Sequence, residues 1–160
     1  MQQSKIFSSL MVIIIVAGIL QSCKKTNTTQ SENQNETKIS THGSTQSHNS
    51  GQNCMTCHKP GGSGEGWFAI GGSVYDTMLT SVYPNATVKL FTGANGSGTL
   101  KYTFQVDALG NFYTTESIDF GSGLFPAVQG NTSTRFMSTS ITTGQCNSCH
   151  GVSTNRLWTR

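Results

Sequence analysis

The fold is decided by the stretch Leu100-Lys101-Tyr102-Thr103-Phe104-Gln105-Val106, in which apolar and polar side chains alternate. This period of two places apolar side chains on one buried face and polar side chains on one solvent-exposed face, which is the pattern of a half-buried β-strand. Residues 86–91 alternate in the same way. The loop between the two runs, residues 92–98, is rich in Gly, Asn and Ser, and these residues suit a turn with positive φ angles.

Further strands are predicted on both sides of this hairpin. They cover residues 67–75, 112–115, 124–129 and 134–141, so that six strands are expected. Short strands at regular spacing, with turn signals between them, are typical of an antiparallel β-sandwich. The chain is therefore predicted to be all-β, with an Ig-like antiparallel sandwich within residues 51–160.

The same cysteine pattern stands on each side of the strand block. The chain reads Cys54-Met55-Thr56-Cys57-His58 before it and Cys146-Asn147-Ser148-Cys149-His150 after it. C-x-x-C-H is the pattern of covalent c-type haem attachment, in which two thiols add to the vinyl groups of one porphyrin and the adjacent His binds the iron. We therefore predict two covalently bound c-type haems. Their attachment residues are Cys54, Cys57, Cys146 and Cys149, and their iron ligands are His58 and His150.

Two other uses of these cysteines remain open. Four thiolates form a closed tetrahedral zinc site in many proteins, and each pair could form a disulfide in an oxidising compartment. The zinc site leaves both histidines unexplained. A C-x-x-C disulfide closes a loop too small to restrict the unfolded chain much.

A second axial ligand for each iron must come from elsewhere in the chain. The sequence has four histidines, so His48 and His42 are the remaining candidates. The thioether of Met137 is the alternative, since His/Met ligation also occurs at haem and raises the reduction potential. An iron with six ligands has no open position for a substrate, so electron transfer is expected in place of catalysis.

The N-terminus has the composition of an export signal. Lys5 precedes residues 10–20, an apolar run that is too short to span a bilayer. The next residues complete Leu20-Gln21-Ser22-Cys23, which resembles the lipobox of bacterial lipoproteins. The resemblance implies that residues 1–22 are a lipoprotein signal peptide and that Cys23 is acylated. The protein is then anchored to a membrane of the cell envelope, with the periplasmic side favoured over the cell surface.

Residues 23–50 are predicted to be a disordered tether. Beyond Cys23 the segment has one aliphatic residue, Ile39, among mostly Ser, Thr, Asn, Gln and Lys. Such a composition cannot bury enough surface to offset the entropy of ordering the chain. The folded part, residues 51–160, would then move above its lipid anchor.

Composition and charge exclude several classes of function. Ile, Leu, Val and Phe supply only 33 of the 160 residues, which is too little apolar material for a large enzyme core. Ten Lys and Arg against seven Asp and Glu form no basic cluster, so no nucleic-acid partner is expected. The sequence also lacks a catalytic triad and a phosphate loop, and the chain is predicted to be an electron carrier and not an enzyme.

Three segments resemble the carboxypeptidase regulatory-like, or transthyretin-like, family. They are Gly72-Ser73-Val74-Tyr75-Asp76, Tyr83-Pro84-Asn85-Ala86-Thr87-Val88-Lys89-Leu90 and Asp107-Ala108-Leu109-Gly110-Asn111-Phe112-Tyr113. The resemblance implies a transthyretin-like sandwich of the kind that serves as a spacer or binding module. With a C-x-x-C-H motif on each side, the chain looks like an exported multihaem c-type cytochrome that contains such a domain.

Two functions are compatible with these features. The first is a lipid-anchored dihaem cytochrome that exchanges electrons with redox partner proteins outside the cytoplasm. The alternative is a non-redox adhesion or glycan-binding module whose cysteine pairs bind zinc or form disulfides. In the first case six antiparallel strands return the chain to the pole where it began, so both haems are expected at one end of the sandwich.

Overall fold

Eight strands form in the computed structural model, which describes residues 36–160. The first four are β1 (Ile70–Tyr75), β2 (Thr87–Phe91), β3 (Leu100–Gln105) and β4 (Asn111–Thr114). The last four are β5 (Phe125–Gln129), β6 (Thr134–Phe136), β7 (Gly144–Gln145) and β8 (Leu157–Trp158). Helix in this part of the chain is limited to short 3₁₀ turns at Cys54–Thr56, Ala94–Gly96 and Cys146–Ser148.

The strands belong to two sheets that pack on a common core. One sheet has the order β4-β1-β7, with β8 also paired to β1, and the other has the order β3-β2-β5-β6. β1 and β4 are antiparallel, and so are all the pairs of the second sheet. The core takes Ile70 and Phe112 from the first sheet and Leu90 and Phe104 from the second. For residues 36–160, the prediction of an all-β fold of mainly antiparallel sheets is confirmed at this level.

The structure adds two strands to the six predicted ones. β7 and β8 both run parallel to β1, with Gly144 opposite Ile70 and Leu157 opposite Val74. Each is two residues long, which is too short for an alternating pattern to appear in the sequence. The largest differences in strand length are at β1, which begins at residue 70 and not 67, and at β6, which ends at residue 136 and not 141.

β1 is the central strand of the first sheet and is covered on both faces. All six of its residues are buried, including Gly71, Gly72 and Ser73. Ile70 and Val74 belong to the core on one face. On the other face, the backbone N of Gly51 donates a hydrogen bond to Ser73 Oγ (2.8 Å), so the loop before the first cysteine pair lies over the strand.

Part of the predicted tether belongs to the folded domain. Ile39 pairs with Thr114 of the edge strand β4, and Ser40 is 1% exposed with its hydroxyl donating to the carbonyl of Gln105 (2.7 Å). The tether prediction is therefore wrong for residues 36–50, because backbone pairing and side-chain hydrogen bonds make up for the missing apolar side chains. The predicted signal peptide, Cys23 and the rest of the tether lie outside the described residues. Within 36–160, no helix has the length and apolar character needed to cross a membrane.

Candidate functional site

The two cysteine motifs lie against adjacent glycines of β1. A Cβ placed on Gly71 would lie 3.1 Å from Cβ of Cys54, and one on Gly72 would lie 2.9 Å from Cβ of Cys146. Successive residues of a strand point to opposite faces. The first motif (residues 54–58) therefore approaches one face of β1 and the second motif (residues 146–150) approaches the other, and the two glycines provide the room.

The structure places Cys54 and Cys146 beside neighbouring residues of β1, but the strand count from which both haems were expected at one end of the sandwich is wrong. β7 is a seventh strand between the motifs, and it runs parallel to β1. It pairs only with Ile70 and Gly71, so the chain leaves β7 beside Gly72 and enters the second motif there. The two motifs come together because β7 is short and ends beside Gly72. An even number of strands between the motifs is not the reason, since the number is seven.

Each motif folds into the same single turn. In the first, the backbone N of His58 donates to the carbonyl of Cys54 (3.0 Å), and Asn53 Oδ1 caps the turn by accepting from the N of Met55 (3.2 Å). In the second, the backbone N of His150 donates to the carbonyl of Cys146 (3.0 Å). This hydrogen bond between the first Cys and the His closes the motif into a turn. Both cysteine sulfurs and the imidazole of a motif therefore lie on the same side and line one cleft.

The two motif histidines are held in the same way. Nδ1 of His58 lies 2.9 Å from the carbonyl oxygen of Glu65, and Nδ1 of His150 lies 2.8 Å from that of Asn155. A hydrogen bond from Nδ1–H to a backbone carbonyl fixes the tautomer in which Nε2 carries the free lone pair. A Cβ on Gly64 would lie 2.8 Å from Nδ1 of His58, so glycine is required beside that ring. Both rings are therefore prepared to bind a metal through Nε2.

Each motif opens into its own cleft. The first cleft has a volume of about 540 Å³ and the second about 460 Å³, and both lie within the usual range of ligand pockets. The walls of the first cleft include His48, Cys54, Cys57, His58, Phe68 and Tyr113. Those of the second include Val128, Met137, Cys146, Cys149, His150 and Trp158.

Of the three predicted distal ligands, two lie in these clefts and one does not. His48 lines the first cleft, and its ring centre is 5.8 Å from that of His58. Met137 lines the second cleft together with His150. His42 lines neither cleft, and its Nε2 lies 3.0 Å from the carbonyl of Ala86, directly before β2. The structure therefore does not bring His42 to either motif.

The four described cysteines are free thiols. Within residues 36–160, no group of three or more His, Cys, Asp or Glu side chains converges to hold a metal ion, so a closed four-thiolate zinc shell is not assembled. Burial, together with a smaller effect of the nearby Cys54 thiol, raises the pKa of the Cys146 thiol to about 12. Burial also raises the pKa of Cys54. By contrast, Cys57 and Cys149 are exposed.

This difference predicts the order in which the thiols of the haem-free protein react. Because the thiolate is the reactive form, iodoacetamide is expected to modify Cys57 and Cys149 well before Cys54 and Cys146. Peptide mass spectrometry after increasing reaction times measures the four rates, and the same reaction in denaturant is the control, where the rates converge. Equal rates in the folded protein would contradict the packing of the two inner cysteines.

A buried polar cluster connects the two motifs and was missed from the sequence. We call Ser73, Asn111 and Asn147 the polar junction. Ser73 Oγ donates to Asn111 Oδ1 (2.5 Å), and Asn147 Oδ1 accepts from the N of Ser73 (3.2 Å). Asn147 Nδ2 also donates to the carbonyl of Gln52 (2.9 Å) in the loop before the first motif. Ser73 and Asn111 lie in β1 and β4 and Asn147 lies in the turn of the second motif, so no local pattern in the sequence indicates the cluster.

Two arginines at the second cleft were also missed. The guanidinium of Arg135 lies 3.5 Å from the ring centre of Trp158, and that of Arg156 lies 4.4 Å from the ring centre of Tyr75. Both arginines line the second cleft. Stacking on an aromatic ring fixes the guanidinium plane, and Nη1 of Arg156 also donates to the carbonyl of Leu79 (2.9 Å). The remaining N–H groups of a guanidinium can bind carboxylates. The second cleft therefore offers thiols, an imidazole and two cations.

Comparison with known proteins adds no relative. No protein-family model matches the chain, and no match is found among curated proteins or solved structures. The resemblance to the transthyretin-like family therefore stays a prediction, and any assignment of function depends on the geometry of the two motifs.

Proposed function

We propose that the chain is a dihaem c-type cytochrome that carries electrons outside the cytoplasm. The observation that carries this proposal is the common arrangement of His58 and His150. Each ring has Nδ1 on a backbone carbonyl, and each lines a cleft with the two cysteines of its motif. Neither a four-thiolate zinc site nor a pair of disulfides gives a reason for two histidines held in this way.

In each motif the chain would supply the same three groups. Two cysteine thiols would hold the porphyrin through thioether bonds, and Nε2 of the histidine would bind the iron. The carbonyls of Glu65 and Asn155, acting through Nδ1, fix the orientation of the rings and increase their basicity. When bound, haem supplies the one-electron chemistry of its iron.

The surroundings of the motifs also suit this group. Phe68 stacks on the ring of His58 with centres 4.1 Å apart, so an aromatic wall backs the first motif. Arg135 and Arg156 at the second cleft are suited to pair with the carboxylates of a porphyrin. Cys54 and Cys146 lie beside adjacent residues of β1, and Asn147 Nδ2 donates to the carbonyl of Gln52, so the path for transfer between the two sites would be short.

Haem content tests the proposal directly. Protein exported in cells with haem-attachment machinery is expected to gain the mass of two haems and to give two haems per chain by pyridine haemochrome assay. The double variant Cys54→Ala/Cys57→Ala should keep one haem, and Cys146→Ala/Cys149→Ala should keep the other. The matched control is Met55→Ala/Thr56→Ala, which changes the intervening residues of the first motif and should keep both.

A protein without haem under these conditions would overturn the proposal. If the same protein then contained zinc by metal analysis, the adhesion or glycan-binding alternative would take its place. A single haem in the wild-type chain would show that one motif has another role, and the two double variants would identify which one.

We further propose that the cytochrome is held at a membrane of the cell envelope, on the periplasmic side, by a lipid on Cys23. The basis is the sequence Leu20-Gln21-Ser22-Cys23 after an apolar run. Two or more acyl chains give stable anchoring, whereas one binds only marginally. Partners would be redox proteins that reach the domain above this membrane.

The anchor makes a separate prediction. Cys23→Ser is expected to move the protein from the membrane fraction to the soluble fraction or to leave the precursor uncleaved, because serine offers no thiol for acylation. Cell fractionation with labelled palmitate measures both effects. A processed Cys23→Ser protein that stays in the membrane fraction would contradict the lipid anchor.

A further inference from the structure

We propose that the two motifs use different sixth ligands, with His48 serving the first haem and Met137 the second. This inference rests on the proposed function, since it concerns the open side of each iron. It assigns one unused side chain to each cleft. It also predicts that the two haems differ in reduction potential.

The distance between His48 and His58 suits two imidazoles that bind one iron. It lines the first cleft with His58, and the two ring centres are 5.8 Å apart with the planes tilted by 35°. Two imidazoles on opposite sides of one metal ion, each with its nitrogen about 2 Å from the metal, have ring centres roughly 6 Å apart. The observed spacing agrees with that arrangement.

The loop that carries His48 is fixed by buried groups. Nδ2 of Asn111 donates to the hydroxyls of Ser47 (2.9 Å) and Ser50 (3.1 Å), on either side of His48. Asn49 and Gly51 have positive φ angles of 52° and 88°, which produce the tight bend. A histidine in a solvated linker would not be held by a buried asparagine. The loop therefore places His48 at the cleft.

The second cleft cannot take a second histidine from this chain in the described arrangement. The sequence has four histidines: two are the motif residues, His48 is in the first cleft and His42 faces Ala86. Met137 lines the second cleft, and its backbone N donates to the carbonyl of Pro126 (2.9 Å), which continues the pairing of β5 and β6. A thioether is a known haem ligand, and the backbone of Met137 is fixed because it directly follows the end of β6.

The different sixth ligands determine which of the two haems has the higher reduction potential. A thioether favours the reduced iron more than an imidazole does, so His/Met ligation gives the higher potential. One electron would then pass from iron(II) at the first motif, which becomes iron(III), to iron(III) at the second, which becomes iron(II). No atom or proton needs to move. The second site would therefore hold the electron in the half-reduced protein.

The first half of the test uses the Cys146→Ala/Cys149→Ala background, which keeps only the first haem. His48→Ala is expected to change the electron paramagnetic resonance spectrum of the oxidised protein from low-spin to high-spin. Added imidazole should restore the low-spin spectrum, because it refills the vacated position. The matched control is His42→Ala, which should leave the spectrum and the midpoint potential unchanged.

The second half uses the Cys54→Ala/Cys57→Ala background, which keeps only the second haem. Met137→Leu should lower the midpoint potential and remove the optical band of iron–thioether bonding. Met137→His should also lower the potential while keeping a low-spin iron, which separates ligation from a general disturbance of the cleft. Met78→Leu is the control, since Met78 is 74% exposed and lines neither cleft.

The outcomes separate this inference from the proposed function. A protein without haem contradicts the proposed function itself. If both haems attach but His48→Ala or Met137→Leu has the spectrum and potential of its parent, the ligand assignment at that motif is wrong. A spectral change in His42→Ala would likewise overturn the assignment of His48.

Discussion

Asn147→Ala is expected to lower the free energy of unfolding of the chain by about 2–4 kcal/mol. Asn147 is 3% exposed, and its side chain accepts from the N of Ser73 and donates to the carbonyl of Gln52. Alanine leaves both groups without these partners, and a buried polar group that loses its partner costs about 1–3 kcal/mol. For a domain of this size the loss is a large part of the total stability.

Urea unfolding followed by tryptophan fluorescence measures this change. The matched control is Asn131→Ala, because Asn131 is exposed and only its backbone N bonds to Tyr83. The control should stay within about 0.5 kcal/mol of the wild type. If the two variants unfold at the same urea concentration, the polar junction does not hold the motifs together.

The alternating sequence pattern is clearest for strands that have one face exposed to solvent. β3 and β2 alternate because one side of each points to solvent, and each of the six predicted strands overlaps one of the observed strands β1 to β6. β7 and β8 escape prediction because two residues cannot show a period. Both strands pair in parallel with β1, which lies about 70 to 90 residues earlier in the sequence, so no local pattern indicates the pairing.

The motif residues are readable from the sequence, whereas their surroundings are not. The turn that joins Cys54 to His58 is local, so its residues stand together in the chain. The polar junction joins Ser73 to Asn111, which lies 38 residues later in the chain, and to Asn147, which lies 74 residues later. Such a cluster leaves no local pattern. The tether prediction fails for residues 36–50 for the same reason, because the strand that pairs with Ile39 lies at residue 114.

Gly72→Ala is expected to destabilise the chain by about 1–3 kcal/mol and to disturb the second motif selectively. Its added Cβ would lie 2.8 Å from Cζ of Phe112 and 2.9 Å from Cβ of Cys146, both closer than packed carbon atoms approach. Phe112 is fully buried and cannot withdraw, so the turn at Cys146 must move. Gly72 is not among the residues with positive φ, so the cost comes from space and not from backbone strain.

The neighbouring glycine provides the comparison. Gly71→Ala places its Cβ 3.1 Å from Cβ of Cys54 and 3.5 Å from Phe68, so it is expected to cost less stability and to disturb the first motif. Urea unfolding gives the two stabilities, and haem content in the two single-haem backgrounds shows which motif each change affects. Because the two added Cβ atoms approach different motifs, the two variants should act on different haems. Loss of the same haem in both variants would mean that the motifs do not lie on opposite faces of β1.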